Sequence, residues 1–291
     1  MSRAIEAVVR RVRAANASAM TGSGTNAYMI GQGQVAVIDP GPDDPAQLDA
    51  ILAALSPGND VAAILVTHAH LDHSALAPKL AQITGAPVYA FGTADAGRST
   101  TMQALAAAGL TGGGEGIDLG FAPDVLLSDG AQLTIGALTI EAIHTPGHMG
   151  GHLSFACEDH LFSGDHAMGW ATSLVSPPDG DMGAYMRSLD RLLQRRWRQM
   201  LPGHGDTVPD PAARLAELAQ HRRLRESEIL AELSRAPGTA TTLAQRIYTN
   251  TPAALLPAAS RNVLAHLIDL VDRNLAMPEG QITANTRFFA R

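Results

Sequence analysis

The stretch ILVTHAHLDHSA, residues 64–75, places three histidines and an aspartate directly after a run of apolar residues. The apolar run predicts a buried strand, and residues two apart in an extended backbone point to the same side. We therefore expect His68 and His70 to aim at one point. Asp72 and His73 follow where the chain turns into a helix, so they should face a neighbouring point. Imidazoles combined with a carboxylate suit zinc, iron or manganese, and the stretch predicts a metal site.

Three more ligand candidates follow later in the chain, each beside glycine after an apolar run. They are His148 in HTPGHMGGH, Asp165 in LFSGDH and His204 in LPGHGD. Glycine allows the backbone to turn sharply and to approach other atoms closely. Side chains at the ends of several strands would be held rigidly by the sheet, as a preorganised site requires. His144 and His152 flank His148 and are candidates for contacts just outside the ligands.

The overall composition predicts a cytoplasmic globular protein. Apolar residues make up 46% of the chain, which is enough for a sizeable core. The single cysteine, Cys157, excludes an internal disulfide framework and fits a reducing compartment. Because Cys157 lies in HLSFACEDH, a pattern typical of a strand, it is a poor candidate for a nucleophile. No stretch approaches the ~18 apolar residues of a membrane span, so we expect no membrane partner.

Charge is distributed unevenly along the chain. Residues 1–211 carry 11 Lys and Arg against 21 Asp and Glu, a formal charge of −10, whereas residues 212–291 carry 10 against 7, a charge of +3. The change falls at the proline-rich segment 209–211. We therefore divide the chain into a larger N-terminal domain, residues 1–211, and a C-terminal domain, residues 212–291.

In the first part, strand and helix patterns alternate without strict regularity, which predicts mixed sheets flanked by helices. The basic N-terminus, MSRAIEAVVRRVR, is typical of an edge strand. A helix is expected to begin near Ala75 and to end at Gly85. After Pro211 the sequence predicts a long helix, two further helices, the last beginning near Ser260, and a terminal hairpin in MPEGQITANTRFFAR. Three helices and a β wing form a winged helix-turn-helix.

These motifs resemble the metallo-β-lactamase superfamily. THAHLDH, the later His148, SGD and GHG occur in the order of that superfamily over roughly residues 20–205, and Asp39 in VAVIDPG matches its first acid. The resemblance implies an α/β fold, an αββα sandwich with a two-metal centre between its sheets. Asp39 would orient ligands from outside the set. The implied ligands are His68, His70 and His148 for one ion, Asp72, His73 and His204 for the other, and Asp165 as a bridge.

A narrower resemblance extends into the C-terminal part. The segments MTGSGTNAYMIG, SPPDGDMGAYMRSLDRL and ASRNVLAHLIDL look like the group around β-lactamase-like protein 2, whose members carry a winged-helix domain. That group is linked to endoribonuclease activity on single-stranded RNA, whereas other relatives resemble thioesterases. A shared fold does not decide the substrate.

The implied chemistry is hydrolysis by a metal-bound hydroxide. Two zinc ions, or iron or manganese in their place, would provide this nucleophile at neutral pH without a serine or cysteine. Asp72 is the candidate catalytic residue, because it can hold the hydroxide by a hydrogen bond as well as ligate. The substrate would then be chosen by the rim of the site. Candidate rim residues are Thr25, Asn26, Tyr28, Trp170, Ser176 and the loop TGGGEG at 111–116.

Three functions are compatible with these motifs. One is an endoribonuclease-like phosphodiesterase, for which Arg187, Arg191 and Arg195 form an i, i+4, i+8 stripe that could bind phosphates. The second is a hydrolase of thioesters, lactones or small esters, of the glyoxalase II type. The third is a non-catalytic winged-helix protein that binds nucleic acid, which the intact ligand set disfavours, as do Asp269 and Asp272 on the last helix. We expect the C-terminal domain to cover one side of the active-site mouth instead.

Overall fold

Two β-sheets face each other in the computed structural model, which describes residues 9–112 and 116–291. In the first sheet, the first three strands along the chain are antiparallel, and the later strands run parallel to the third. Its six strands, in spatial order, are β1 (Val9–Arg13), β2 (Asn26–Gln32), β3 (Gln34–Ile38), β4 (Asp60–Leu65), β5 (Val88–Ala90) and β6 (Val125–Leu126). The predicted edge strand is confirmed from Val9 onward, and its earlier residues lie outside the described part of the chain.

The second sheet is antiparallel except for its last two strands along the chain, which are parallel to each other. Its five strands are β7 (Gln132–Ile135), β8 (Leu138–His144), β9 (Leu153–Cys157), β10 (His160–Gly164) and β11 (Gln199–Pro202), in the spatial order β11-β10-β9-β8-β7. One buried apolar cluster joins the two sheets, with Ile38 and Leu65 on one side and Phe155 and Phe162 on the other. The predicted hairpin of β7 and β8 is confirmed.

Helices cover the outer faces of both sheets. Leu80 and Ile51 pack with the first sheet, and Tyr185 and Leu189 pack with the second. The helices before the C-terminal part are α1 (Pro45–Ala54), α2 (Leu71–Ser74), α3 (Ala77–Thr84), α4 (Thr100–Ala107) and α5 (Met182–Leu193). The αββα sandwich is therefore confirmed.

The helix predicted near Ala75 differs from the observed structure. A separate turn of helix, α2, begins at Leu71, and α3 follows it. Pro78 occupies the first turn of α3. Because proline has no N–H, it cannot bond the carbonyl of Ser74 and continue α2. Asp72 therefore lies on a short helix of its own, directly after the extended residues that carry the first histidines.

The C-terminal part is a winged helix, as predicted. Three helices pack against a small sheet with the strand order β12-β14-β13. The elements are α6 (Pro211–Arg235), β12 (Gly238–Thr239), α7 (Ala240–Ile247), a 3-10 turn (Ala253–Leu255), α8 (Leu256–Asp272), β13 (Ala276–Pro278) and β14 (Arg287–Ala290). The last helix begins at Leu256 and not near Ser260, because Pro257 is well tolerated in a first turn.

The long helix α6 belongs to two apolar cores. In its first half, Leu215 and Leu218 pack into the cluster beneath the second sheet. In its second half, Ile229 and Leu233 pack with the winged-helix core. The change in charge at residue 211 thus coincides with the start of a helix that connects the two parts.

One segment of the described chain, Ala253–Asp272, is long and apolar enough to cross a membrane by length and composition. The sequence does not show this segment as one apolar run, because Arg261 and Asp269 interrupt its apolar residues. Val263, Leu267 and other apolar side chains of this segment are buried in the winged-helix core. Helices in the core of a globular protein often have this length and composition, so the segment is weak evidence for a membrane span.

Truncating a buried leucine of α6 should test its contact with the sandwich. Leu218 is 1% exposed and Leu224, on the same helix, is 56% exposed. We expect Leu218→Ala to lower the free energy of unfolding by about 2–5 kcal/mol, through lost burial and a cavity. Leu224→Ala should change it by less than about 0.5 kcal/mol. Equilibrium denaturation of both variants would measure this, and equal effects would contradict the packing described.

Candidate metal centre

The structure brings the seven predicted ligands together at the ends of strands. The segment after β4 carries His68, His70, Asp72 and His73. Asp165 follows β10, His204 follows β11, and His148 lies in the loop after β8. All are buried except Asp72, whose side chain is 27% exposed. Within the described chain, three overlapping groups have ligand atoms no more than 4.8 Å apart: His68, His70 and His148; His68, His73 and Asp165; and Asp72, His73 and His204.

The first group is three imidazoles with their ring nitrogens face to face. Nδ1 of His70 lies 3.0 Å from Nε2 of His68 and 3.1 Å from Nε2 of His148. The alternation of an extended segment accounts for the convergence of His68 and His70, as the sequence predicted. His148 reaches the same point from the other sheet.

Outer hydrogen bonds fix which nitrogen of each histidine is available. Nδ1 of His68 meets the Thr67 hydroxyl at 2.9 Å, and Nδ1 of His148 meets the Leu174 carbonyl at 2.6 Å. Because the Leu174 carbonyl can only accept, His148 donates to it from Nδ1. Because the Thr67 hydroxyl already donates its proton to Asp39, it can only accept from Nδ1 of His68. Their Nε2 lone pairs then both face Nδ1 of His70, and one proton cannot serve both. A cation between the three nitrogens would satisfy all of them.

We call Asp72, His73 and His204 the second group, which holds two histidines and one carboxylate. Nε2 of His204 lies 3.3 Å from Oδ2 of Asp72 and 3.3 Å from Nε2 of His73. The opposite nitrogens are again engaged, Nδ1 of His73 with Asp39 at 2.9 Å and Nδ1 of His204 with the Gly24 carbonyl at 3.3 Å. Such outer partners are typical of metal-binding histidines, because they fix the tautomer and the ring orientation.

Asp165 lies between the two groups. Its Oδ1 is 3.5 Å from Nε2 of His73, and its Oδ2 is 3.2 Å from His204 and 3.9 Å from His148. Oδ1 is buried and has no hydrogen-bond partner among the described residues. A buried carboxylate oxygen without a donor is costly unless a cation binds it. The residues present therefore fit metal ions, with Asp165 positioned to serve both groups.

Burial and charge set the protonation of these ligands. Burial lowers the pKa of His68 well below its usual value and lowers that of His70 to about 3, so both rings are neutral and able to ligate. Burial alone would lower the pKa of His204 too, but the charge of Asp165 and hydrogen bonds to Asp165 and Asp72 raise it to about 9. Without a metal, His204 therefore holds a proton at neutral pH. The negative charge of Asp165 and Asp72 that favours this proton would also favour a metal cation in its place.

Two glycines give the ligands the space that they need. A Cβ on Gly203 would lie 2.4 Å from Oδ1 of Asp165 and 2.7 Å from Cε1 of His73. A Cβ on Gly164 would lie 2.7 Å from Nε2 of His152, and Gly164 also has a positive φ of 51°. The glycines beside Asp165 and His204 are therefore required by close approach, as the sequence suggested.

The residues predicted just outside the ligands have different surroundings. Asp39 accepts bonds from the Thr67 N–H at 2.7 Å and from the Thr67 hydroxyl at 2.8 Å, besides its bond to His73. His152 accepts the N–H of Asp165 at 3.2 Å through Nε2. His144 is more remote: it bonds the Gly150 carbonyl at 2.8 Å and stacks on Phe91. It therefore supports the loop around His148 and contacts none of the seven ligands in the described structure.

The predicted rim needs correction at several positions. Tyr28 packs in the core on Phe162 and donates its hydroxyl to the Pro202 carbonyl at 2.9 Å. Asn26 is also fully buried and donates to the Pro202 and Gly205 carbonyls. Neither residue is at the rim, because each is used to hold the segment that carries His204.

The other rim candidates lie closer to the site. The Thr25 hydroxyl donates to Oδ2 of Asp72 at 3.0 Å, so it orients a ligand. Ser176 is buried and accepts a bond from Arg261 at 2.9 Å. Trp170 is 45% exposed and lines the cavity described next, as expected for a rim residue. Of the loop at 111–116, residues 113–115 lie outside the described chain, and Gly116 lines the cavity.

A cavity of about 580 Å³ opens over the metal-binding groups. Met20, Leu71 and Trp170 line it on the sandwich side, together with the ligands His70, Asp72, His148, Asp165 and His204. The winged-helix part supplies the opposite wall, with His221, Arg222, Tyr248, Thr251, Leu255, Ala258, Ala259 and Asn262. The expectation that the C-terminal domain covers one side of the mouth is borne out. Residues such as His221 and Tyr248 carried no local signal, because only folding brings them to the site.

The arginine stripe proposed for phosphate binding is largely neutralised. Arg191 pairs with Asp129 at 2.8 Å, and Arg195 pairs with Glu141 at 2.9 Å. Neither arginine lines the cavity; Arg191 lies on α5 and Arg195 follows it.

Cys157 is buried, and burial raises the pKa of its thiol to about 11, which agrees with its exclusion as a nucleophile.

Comparison with known families assigns both parts of the chain. Residues 20–208 match the Metallo-beta-lactamase superfamily, and residues 239–284 match the Beta-lactamase associated winged helix domain. The chain is 31% identical over 274 residues to the Beta-lactamase-like protein 2 homolog of Drosophila melanogaster, which covers 90% of this chain and 87% of that protein. It is 29% identical over 229 residues to the Atrochrysone carboxyl ACP thioesterase of Aspergillus chevalieri, covering 77% of this chain and 65% of that protein.

A solved structure shares the complete arrangement. The metallo-beta-lactamase family protein TTHA1429 from Thermus thermophilus superposes with a TM-score of 0.77 at 24% identity, over 98% of this chain and 99% of that one. This similarity supports the fold of both parts.

Replacing Asp165 by asparagine should weaken metal binding. The substitution keeps the shape but removes the negative charge shared by the two groups, and its NH2 end cannot ligate. We expect elemental analysis to show loss of at least one ion, and hydrolysis to fall by at least ~10²-fold, with folding largely intact. Asp206→Asn, at an exposed site two residues after His204, is the control and should behave as wild type. Full metal content and activity in Asp165→Asn would exclude a bridging role.

A single methyl group at Gly203 should have a similar effect. Gly203 does not have a positive φ, so alanine there is limited by space and not by backbone strain. We expect Gly203→Ala to displace the Asp165 carboxylate and to weaken metal affinity by about 10-fold or more. In Gly120→Ala the nearest atom would be 3.7 Å away, and metal affinity should be unchanged. Chelator competition measures both; equal affinities would mean that the close approach at Gly203 is not required.

Proposed function

The chain belongs to the metallo-beta-lactamase superfamily, and we propose that it hydrolyses acyl thioesters whose acyl group is largely apolar. As a member with a clustered set of histidine and aspartate ligands, it is a metal-dependent hydrolase. The assignment of an acyl thioester as the substrate is supported by the shape and chemistry of the cavity. It is also supported by a relative named as a carboxyl ACP thioesterase.

The apolar lining of the cavity is the main support for a thioester with an apolar acyl group. Apart from the metal ligands, most of its lining is apolar, with Met20, Leu71 and Trp170 at one side and Leu255 and Ala258 opposite them. Its volume of about 580 Å³ lies within the range of cavities that enclose small molecules. An apolar acyl group would bury its surface against this wall while its carbonyl carbon lies at the metal-binding groups.

The same wall disfavours an RNA substrate. The described lining contains no lysine, and its one arginine, Arg222, is 1% exposed. Binding of a nucleic-acid strand depends on lysines and arginines that neutralise successive phosphates. Residues 1–211 also carry a formal charge of −10. The endoribonuclease alternative therefore lacks the lysine and arginine side chains that would hold successive phosphates along this cavity.

The winged helix offers little support for a nucleic-acid-binding function. On α8, Arg261 is directed to Ser176 and Pro177 in the loop beside the metal centre. Arg273, at the end of that helix, pairs with Glu226 and with Asp269. The arginines of the helix that would enter a DNA groove are thus engaged within the protein.

The chain's own residues can position the reacting groups. Bound cations would supply an ionised water at neutral pH and a Lewis acid for the acyl oxygen. Asp72 is the one ligand whose carboxylate is partly exposed, and the Thr25 hydroxyl holds it at 3.0 Å, so it can orient the attacking water by a hydrogen bond. A thioester releases a thiolate, whose conjugate acid has a pKa of about 8.5, so departure requires little assistance from a general acid.

Zinc, two ions per chain and a cytoplasmic location complete the proposal. The nitrogen-rich first group suits zinc, although iron and manganese accept the same ligands. The two groups and the position of Asp165 between them support two ions. A single, buried cysteine supports a reducing compartment.

A hydrolysis panel on zinc-loaded protein tests the proposed substrate. The panel comprises short-chain and medium-chain acyl thioesters, a lactone, a β-lactam and single-stranded RNA. We expect turnover of the thioesters to exceed that of every other substrate and to increase with acyl length until the cavity is filled. Cleavage of the RNA without cleavage of any thioester would overturn the proposal in favour of the phosphodiesterase.

Narrowing the cavity from the winged-helix side should change the preference for acyl length. Ala258 lines the cavity, whereas Ala254 is exposed and does not. We expect Ala258→Phe to lower kcat/KM for medium-chain thioesters by about 10-fold or more, because the ring would occupy space used by the chain, and to affect an acetyl thioester far less. Ala254→Phe should leave both values unchanged. If both chain lengths respond equally to Ala258→Phe, the acyl group does not bind against this wall.

A further inference from the structure

The loop of residues 173–177 connects the winged helix to the metal centre. Its Leu174 carbonyl accepts the Nδ1–H of His148 at 2.6 Å, the shortest of the outer bonds described for the ligand histidines. This bond leaves Nε2 of His148 directed at the first metal-binding group. Any shift of the carbonyl would therefore turn the imidazole away from that group.

Side chains of the C-terminal helices hold the loop on both sides of Leu174. On α8, Oδ1 of Asn262 accepts the N–H of Val175 at 3.0 Å. Arg261, the preceding residue, donates to the Ser176 hydroxyl at 2.9 Å and also to the Pro177 carbonyl. The residue before Leu174 is held by α6, where Arg222 donates to the Ser173 carbonyl.

Asn262 and Arg222 form one connected unit. Nη1 of Arg222 donates to the same Asn262 oxygen at 3.2 Å, so that oxygen accepts from two donors. Arg222 is 1% exposed and makes no salt bridge among the described residues; its guanidinium instead lies over the ring of Tyr185. Val175 is fully buried. Removing the Asn262 oxygen would leave two buried donors without this acceptor, which is unfavourable unless the loop moves.

From these contacts we infer that the winged helix positions a metal ligand: Asn262, with Arg222 and Arg261, fixes the 173–177 loop, and the loop fixes His148. The C-terminal helices thereby contribute to metal affinity without supplying a ligand. Asn262 is a positioning residue that acts through Leu174 and His148. The inference concerns the metal centre and holds for any substrate, so it is independent of the proposed thioester hydrolysis.

Metal binding by Asn262→Leu tests this connection. Leucine has a similar size but cannot accept a hydrogen bond. We expect chelator competition to show that one bound zinc is weakened about 10–100-fold, the range found when an outer partner of a ligand histidine is lost. The visible absorption spectrum of the cobalt-substituted protein should also change, because it reports the ligand geometry. Wild-type affinity together with a wild-type spectrum would overturn the inference.

Two further variants separate positioning from general destabilisation. Asn262→Asp keeps an oxygen that can accept from both Val175 and Arg222, and it should restore affinity and spectrum. Leu267→Ala, in the same helix and fully buried in the winged-helix core, should lower the melting temperature without changing zinc affinity. A loss of affinity in Leu267→Ala equal to that in Asn262→Leu would show that the effect arises from domain stability and would overturn the inference.

A third variant serves if Asn262→Leu does not fold. Arg261→Met removes the bonds to Ser176 and Pro177 and should weaken the same zinc ion and alter the same cobalt spectrum. Unchanged metal binding in Arg261→Met would count against the inference. A wild-type protein that binds no metal would overturn both the metal centre and this inference, whereas failure of the thioester assay alone would leave it intact.

Discussion

Buried imidazole and carboxylate groups lie close together beyond the ends of the strands, and the surrounding structure holds them there. Nδ1 of His70 lies 3.0 Å from the facing nitrogen of His68 and 3.1 Å from that of His148. Such an arrangement is unfavourable in a buried site unless a cation binds there. The fold supports it by placing each candidate ligand on a segment that follows a strand or on the short helix α2. Outer acceptors, among them Asp39 and the Leu174 carbonyl, keep the rings from turning.

The centre also explains features of the backbone that would otherwise be arbitrary. Gly164 and Gly203 stand where any side chain would meet a ligand or its neighbour. Tyr28 and Asn26 lie in the core beneath and bind the carbonyls of the segment that carries His204. The two sheets thus provide both a hydrophobic core and a rigid frame for the ligands, which is what a preorganised metal site requires.

The C-terminal part is integrated with this centre and is more than an attached module. Helix α6 packs into the sandwich with its first half and into the winged helix with its second. The winged helix then closes the cavity opposite the metal-binding groups, and through Asn262 and Arg222 it holds the loop beside His148. Two arginines of this part, Arg222 and Arg261, are used for internal contacts with that loop.

The candidate ligands and the order of the elements could be predicted from the sequence, because those signals are local. Alternation predicts that His68 and His70 converge, glycine marks the turns at Asp165 and His204, and helical periodicity identifies the winged helix. The separate turn α2 was not predicted, because the sequence was interpreted as one helix from near Ala75, whereas Pro78 separates α2 from α3. The surroundings of the candidate ligands became visible only in the folded protein. The Leu174 carbonyl is 26 residues from His148, and Asn262 is 87 residues from Val175. No pattern within either segment records the partner, because contacts between distant segments depend on how the sheets and helices pack. For the same reason Tyr28, which resembles a rim residue in the sequence, belongs to the core.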